Sequence, residues 1–309
     1  MKKIFIDGSI GTTGLRIVDR LESRDDIELI RLPEDKRKDP TAKKEVLNAC
    51  DIAFLCLPDT AAIESVAMIE NPNTVVIDTS TAHRTNEGWC YGFPELSDSI
   101  KDALSTAKRI AVPGCHASGF ISLVYPLVEA GIISQDMKLT CHSITGYSGG
   151  GKKMIAEYED ENKDFLLDAP RQYGLTQQHK HLKEMKKITG LDSEPIFCPI
   201  VSDFYSGMTV TVPIFASDLK NGTINDIKNV YKNKYTGDIV KYVEADELGG
   251  FISAHDMAKK DSMRITVCGN EDRILLIAMY DNLGKGASGA AVECLNYVLG
   301  VSPETGLEI

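Results

Sequence analysis

Apolar and polar positions change rhythm about halfway along the chain. In the first part the apolar residues fall in short blocks, Lys3–Asp7, Ile27–Leu32, Ile52–Leu57, Thr74–Ile77 and Arg109–Val112, separated by helical segments. Blocks of this length read as buried strands, and the β–α–β rhythm predicts a parallel sheet wrapped by helices. From about residue 137 the runs lengthen and alternate: 139–145, 197–201, 208–215, 263–268 and 274–280. Alternation predicts strands with one covered face, hence a mixed or antiparallel sheet in a second domain. Between them lie a glycine turn, Gly146-Tyr-Ser-Gly-Gly-Gly-Lys152, and a polar stretch, 157–164, expected as a surface loop or helix. The glycine-rich segment from Asp281 leads into a helix through Leu299, whose small residues suit close packing against the first domain.

Three glycines sharpen the first half. Gly8, Gly11 and Gly14 follow the first strand and open a helix running through Leu21. Glycines there allow a tight turn, close backbone approach to a pyrophosphate and close helix–strand packing, while the helix N-terminus holds phosphates. The spacing is Gly-x-x-Gly-x-x-Gly rather than the commoner Gly-x-Gly-x-x-Gly; the alternative is a turn that binds nothing. The second strand carries Arg31 near its end, with Lys36, Arg37 and Lys38 beyond, among Glu34 and Asp35. An arginine where a carboxylate normally bonds the ribose points to NADP(H) rather than NAD(H). The distal three basic residues read equally as a solvated loop. The expected class is α/β, an N-terminal Rossmann-type parallel sheet plus a second α+β domain with a mixed or antiparallel sheet. The expected boundaries are 1–114 with 284–309 for dinucleotide binding, and 115–283 for catalysis, substrate and dimerisation.

Composition narrows the function. The 309 residues are 43% hydrophobic and 26% charged, enough for two domains and a sizeable core. A net charge of −11 argues against a nucleic-acid binder but leaves room for a local basic pocket. No apolar run approaches the roughly 20 residues that span a bilayer, and the start goes straight into a strand. The eight cysteines, at 50, 56, 90, 115, 141, 198, 268 and 294, include no Cys-x-x-Cys pair. Reduced thiols in a cytoplasmic protein without a metal site are the simplest account.

One cysteine has a special setting. In Ala111-Val-Pro-Gly-Cys-His-Ala-Ser118, Cys115 follows a strand and precedes the apolar helix Phe120–Gly131. A helix start lowers a thiol pKa and offers N–H groups to an oxyanion; the alternative is a structural buried cysteine. A nucleophilic thiol needs a proton carrier, for which histidine is suited. His116 should point away from the helix start, and His83, His142 and His255 read as surface or satisfied core residues. His179 and His181 are two apart, about 200° around a helix, so one of them should face the thiol. On a regular helix His181 shares a face with Glu184.

Several motifs occur together in order: the 8–14 turn, Asp78-Thr-Ser-Thr-Ala-His-Arg84, Tyr91-Gly-Phe-Pro-Glu-Leu96, Pro113-Gly-Cys115, Gly146-Tyr-Ser-Gly149, His179-Lys-His181 and Asn282-Leu-Gly-Lys-Gly-Ala-Ser-Gly289. With them the chain resembles the short form of the N-acetyl-gamma-glutamyl-phosphate reductase family, grouped with aspartate-semialdehyde dehydrogenase. Leu182-Lys183-Glu184 departs from the small residue or proline usual before that glutamate. The resemblance implies NADPH-dependent reduction of an acyl phosphate to an aldehyde through a Cys115 thioester, with His179 favoured over His181 as the acid–base. It implies Arg84, Ser148, Lys152 and Tyr173 for substrate. For cofactor it implies Gly8, Ser9, Ile10, Gly11, Thr12, Thr13, Gly14, Arg31, Leu57, Pro58, Ser80, Asn282 and Gly284. A homo-oligomer, dimer or tetramer, is expected. The alternatives are a reductase of aspartyl phosphate or of a carrier-bound amino acid, and a non-catalytic NADP-binding regulator.

Overall fold

The computed structural model describes residues 1–37 and 39–309; Lys38, the last residue of the basic run, lies outside the described residues. The chain divides into two compact units, Met1–Pro113 with Ala287–Leu307, and Gly114–Gly286 with Glu308–Ile309.

The first unit runs β1 (Lys2–Asp7), α1 (Thr12–Leu21), β2 (Ile27–Ile30), α2 (Pro40–Ala49), β3 (Ile52–Leu55), α3 (Asp59–Ala67), β4 (Val75–Asp78), β5 (Cys90–Tyr91), α4 (Asp98–Thr106) and β6 (Arg109–Ala111). The strands form one parallel sheet in the order β2-β1-β3-β4-β6-β5. Every residue of β3 and β4 is buried, as a sheet covered on both faces requires. Alternate side chains sort to the two faces. Ile4, Ile6, Phe54 and Ile77 meet Ala290, Ala291 and Leu295 of the C-terminal helix Gly289–Leu299. Phe5, Ala53, Leu55 and Val76 meet Val46 and Leu47 of α2. The C-terminal helix thus completes the first unit's core, and its alanines are what let it lie close. Two expected strands end early, at Ile30 and Leu55, because the chain leaves the ladder there and Arg31, Leu32 and Leu57 line a cavity.

The second unit runs α5 (Cys115–Glu129), β7 (Thr140–Gly146), α6 (Gly151–Glu159), β8 (Arg171–Gln172), α7 (His181–Thr189), β9 (Ile196–Ser202), β10 (Met208–Phe215), α8 (Ile224–Lys234), β11 (Val240–Tyr242), β12 (Met263–Gly269) and β13 (Arg273–Tyr280). Its seven-stranded sheet, β11-β12-β13-β10-β7-β9-β8, is mixed: β7 with β9 and β11 with β12 are parallel, the other pairs antiparallel. The edge strands β8 and β11 are two and three residues long, too short to carry an alternation. Helix α5 starts at Cys115, earlier than its apolar run, because Gly114 caps it and His116-Ala-Ser-Gly119 forms its first turn. It lies hard on the sheet: a Cβ at Gly119 would sit 2.6 Å from both the Tyr280 hydroxyl and Val210. The 157–164 stretch contains the end of α6 and a turn. Among the described residues no helix is long and apolar enough to cross a membrane.

Candidate active site

The glycine turn closes over the first unit's switch point, where strand order reverses between β1 and β3. Gly8 has φ +84°, and a Cβ on it would lie 2.3 Å from the Cys56 carbonyl. A Cβ on Gly14 would lie 2.3 Å from the Gly8 carbonyl. Both positions therefore admit only glycine. Gly11 caps α1 without a side-chain hydrogen bond, so the first amides of the helix carry no side-chain cap. Beside the turn lies a cavity of about 650 Å³, lined by Gly8, Ser9, Ile10, Arg31 and Leu57 of the expected cofactor residues. Gly11, Thr12, Thr13 and Gly14 form the adjoining helix start, and Pro58 precedes α3. Ser80 is buried and donates twice to Asp78. Lys43 also lines the cavity and pairs with Asp7 at 3.0 Å, which no spacing in the sequence announces. Arg31 pairs with Glu22, and both are largely exposed. Glu34, Asp35 and Arg37 share the cavity wall.

In the second unit Cys115 is the first residue of α5 and is half-buried. Three contacts fix its turn. The Gly114 N–H donates to Glu184 Oε1 at 2.8 Å, from a carboxylate 2% exposed on α7. The Tyr280 hydroxyl donates to the Cys115 carbonyl at 2.5 Å and accepts the Gly119 N–H at 3.1 Å. It thereby bridges the carbonyl and N–H that an α-helix joins directly. Gly286 lies against the cysteine, since a Cβ there would be 3.1 Å from Cys115 Cβ. Asp281, fully buried, organises that last loop by accepting the Ser206 hydroxyl and the Leu283 and Gly284 N–H groups.

His116, next to Cys115 in the chain, belongs to a cluster of three imidazoles. His179 precedes α7 rather than lying on it, so the 200° argument does not apply; its ring and that of His181 are 4.7 Å apart at 83°. His116, expected to turn away, packs on both, 5.7 Å from His179 and 5.6 Å from His181. Its Nδ1 bonds Ser143 Oγ at 2.7 Å and its Nε2 bonds the Tyr173 hydroxyl at 2.6 Å. Burial, with His179 adding, pushes the His116 pKa down to about 3, so its ring is neutral. Burial and the Lys180 charge lower that of His179. Burial and the Cys115 charge raise that of Tyr173, which stays a phenol.

The remaining expected residues are placed differently. Asn282 and Ser148 are each 1% exposed and bond one another at 3.0 Å, and Asn282 also accepts the Gly207 N–H. A Cβ at Gly284 would sit 1.9 Å from the Lys260 carbonyl. These three lock loops together. Lys152 is exposed in the first turn of α6. Arg84 is buried in the first unit and donates to the carbonyls of Val112 and Thr79. His83 is a satisfied core histidine, 2.6 Å from Asp78 and stacked on Trp89. His142 is exposed, and His255 bonds the Ser206 carbonyl. Sequence reasoning missed Ser143, Tyr280 and Asp281 as parts of the site; for Ser143 the inward phase of β7 was the available signal. Among the described residues no group of three or more His, Cys, Asp or Glu could hold a metal ion.

A glycine turn on a parallel sheet, a helix-start thiol and a cluster of three histidines in one chain are the parts of an oxidoreductase of the semialdehyde dehydrogenase type. Family models agree: the semialdehyde dehydrogenase NAD-binding domain matches residues 3–103 and its dimerisation domain residues 115–282. Among solved structures, aspartate semialdehyde dehydrogenase II from Vibrio cholerae complexed with ASA superposes with TM-score 0.74 at 16% identity, covering 97% of this chain and 98% of that one. The enzyme with NADP from Candida albicans does so at 0.64 and 13%, covering 97% and 99%. Curated relatives are nearer in sequence. The N-acetyl-gamma-glutamyl-phosphate reductases of Brucella ovis and Brucella canis are each 44% identical over 306 residues, 96% of this chain and 99% of the relative. The chain belongs to the N-acetyl-gamma-glutamyl-phosphate reductase family.

Proposed function

We propose that this chain catalyses the NADPH-dependent reductive dephosphorylation of N-acetylglutamyl 5-phosphate to N-acetylglutamate 5-semialdehyde, a step of arginine biosynthesis, in the cytoplasm. The observation that carries the reading is the 44% identity to such reductases over nearly the whole length of a chain whose Cys115 opens a helix next to His116, a ring that packs on His179 and His181.

The first unit fits a dinucleotide: Gly8 and Gly14 tolerate no Cβ, and the uncapped start of α1 offers amides to a pyrophosphate. Gly8 to Gly14 would hold the phosphates and Arg31 the 2′-phosphate that marks NADPH. When bound, the nicotinamide supplies a hydride to the carbonyl carbon of the thioester. The chain's own residues do the rest. The Cys115 thiolate adds to the acyl-phosphate carbonyl; the C–O bond to phosphate breaks and a thioester remains. The first-turn amides of α5 receive the oxyanion. The His181 N–H lies 3.3 Å from His179 Nδ1, which orients the ring. The neutral His179 ring takes the Cys115 thiol proton as the thiolate forms, gives it as imidazolium to the reduced oxygen, and recovers it as the C–S bond breaks, releasing aldehyde and thiolate. Tyr173 borders the substrate beside Cys115, and Lys152 supplies positive charge for its anionic groups. Ser148, Asn282 and Gly284 hold the loops around them. Ile144, Ile196, Phe215 and Leu275, each 38–62% exposed on the second unit's sheet, support a homo-oligomer.

The deciding experiment is the reverse reaction. With phosphate and NADP, N-acetylglutamate 5-semialdehyde should be oxidised far faster than aspartate semialdehyde. A preference for the aspartate compound would move the chain to the sister activity, and no turnover of either would make it a regulator.

A further inference from the structure

Strand β8 pairs antiparallel with β9, Arg171 opposite Val201, and the Tyr173 N–H continues the ladder by donating to the Pro199 carbonyl at 3.0 Å. At Gly174, φ +64°, the chain turns off the sheet. The next hydrogen-bonding place along β9 is Phe197, and a side chain takes it. Gln177 Oε1 accepts the Phe197 N–H at 2.9 Å, and Gln177 Nε2 donates to the Phe197 carbonyl at 2.7 Å. A primary amide offers the same donor and acceptor as a peptide group, so Gln177 reproduces the paired bonds of an antiparallel ladder. Its backbone sits at φ +56°, one of two non-glycine residues with positive φ among the described residues. A residue with a Cβ keeps that conformation only where its surroundings hold it, and such residues gather at functional sites. Two residues on is His179, whose ring packs 5.1 Å from that of Phe197. We propose that Gln177 is a positioning residue that fixes His179 by tying its loop to the backbone of Phe197.

The surroundings favour this arrangement. The loop runs from Tyr173 to the start of α7 at His181, and Gln177 grips β9 midway along it. Phe197 is 1% exposed, and its ring also packs on His116 at 5.2 Å. The residue that Gln177 holds by its backbone therefore supports His179 by its side chain. The paired bond does little for the fold itself, because Gln177 is exposed and water can take over both Phe197 groups when the amide is removed. Water cannot replace the tie between loop and strand. The titratable groups around the His179 ring are Tyr173, Lys180, His116 on α5 and His181 on α7. Burial, with Lys180 adding, holds the ring's pKa down, so a loosened and wetter ring would titrate higher.

The proposal rests on His179 being the acid–base, so its test pairs turnover with a readout that needs none. The His179 ring is titrated by NMR of histidine-labelled protein, its signal assigned from His179→Asn, and kcat and KM are measured across pH. Gln177→Met keeps the length of the side chain and drops both bonds. It should raise the His179 midpoint by about 0.5–1 pH unit, three- to tenfold in the protonation equilibrium. It should also lower kcat by roughly ten- to a hundredfold, as a displaced catalytic group does, with KM within about twofold. The acid limb of kcat should move up with the midpoint, since the ring must be neutral to take a proton. Gln177→Asn, at ease in a left-handed turn but one methylene short of Phe197, should act like Gln177→Met, and it carries the test should the methionine variant fail to fold. The idea is overturned if either folded variant leaves the His179 midpoint where it was, whatever happens to kcat. A raised midpoint with unchanged kcat supports the tie and removes His179 from the chemistry.

Discussion

The cradle at Gly8–Gly14 is made of backbone from one continuous stretch, whereas the cluster around Cys115 is made of side chains from α5, β7, the segment before α7, α7 itself and β13. In the cradle the informative feature is missing atoms: Gly8 and Gly14 leave 2.3 Å where a Cβ would go. In the cluster it is a set of hydrogen bonds between polar groups, buried or half-buried, at 2.5–3.1 Å. A ligand's phosphates can be received by any backbone of the right shape, so the first site is insensitive to most side chains. Shifting the proton of a thiol takes particular groups at particular places, so the second is sensitive to nearly all of its own. The difference predicts which variants should lose binding and which should lose chemistry.

The sharpest separation should come from Cys115→Ser. Turnover should be abolished, because an alcohol there stays protonated where a thiol ionises, while nucleotide affinity by fluorescence titration stays near wild type. Activity within a few-fold of wild type would break the division between the sites. Next in size, His179→Asn should lower kcat by about 10² to 10⁴, the usual worth of a placed acid–base, and His181→Asn by less. A larger loss at His181 reverses the assignment, and small losses at both remove the pair from the chemistry.

On the cradle side, Gly14→Ala should weaken nucleotide binding by roughly ten- to a hundredfold, from the 1–3 kcal/mol typical of overpacking. Cys115 alkylation should not change. Arg31→Ala should lower the preference for NADPH over NADH by a similar ten- to hundredfold, the range for charge-assisted hydrogen bonds. Steady-state rates with both nucleotides measure it. A wild type that prefers NADH would remove Arg31 from cofactor choice, and an unchanged preference in the variant would move the credit to Lys36, Arg37 or Lys38. The smallest effect is thermodynamic. His116 binds its proton near pH 6.5 when unfolded and near pH 3 when folded, so the unfolded chain holds the extra proton between those values. Its share of stability is whole above pH 6.5 and falls by about 1.4 kcal/mol per pH unit below it. The lowered His179 adds in the same direction. Urea melts from pH 7 to 4 should show a slope shallower by one proton in His116→Gln; equal slopes would mean that the ring is reached by water.

Sequence determined the parts of this protein that depend on neighbours along the chain. The blocks 52–57 and 74–77 read as buried strands, because Ile52, Phe54, Leu55, Val75, Val76 and Ile77 are driven out of water, and the structure buries all six. Gly8 and Gly14 marked the tight turn between β1 and α1, because a requirement for no side chain shows in a single stretch. Pro113-Gly-Cys115 marked the helix-start thiol, because a strand before it and an apolar helix after it show in the same stretch. The tertiary structure decided what depends on residues far apart in number. Helical spacing set His179 and His181 on different faces; the chain instead enters α7 at His181 and brings the two rings within 4.7 Å. His116, discounted by its place beside Cys115, became the centre of the cluster once β7 brought Ser143 to Nδ1 and Tyr173 came to Nε2. Tyr280 reaches the Cys115 carbonyl across 165 residues, a distance over which no periodicity carries information. Local pattern fixes which face a side chain takes, but the partner of a buried polar group is set by whatever packing brings within hydrogen-bond reach.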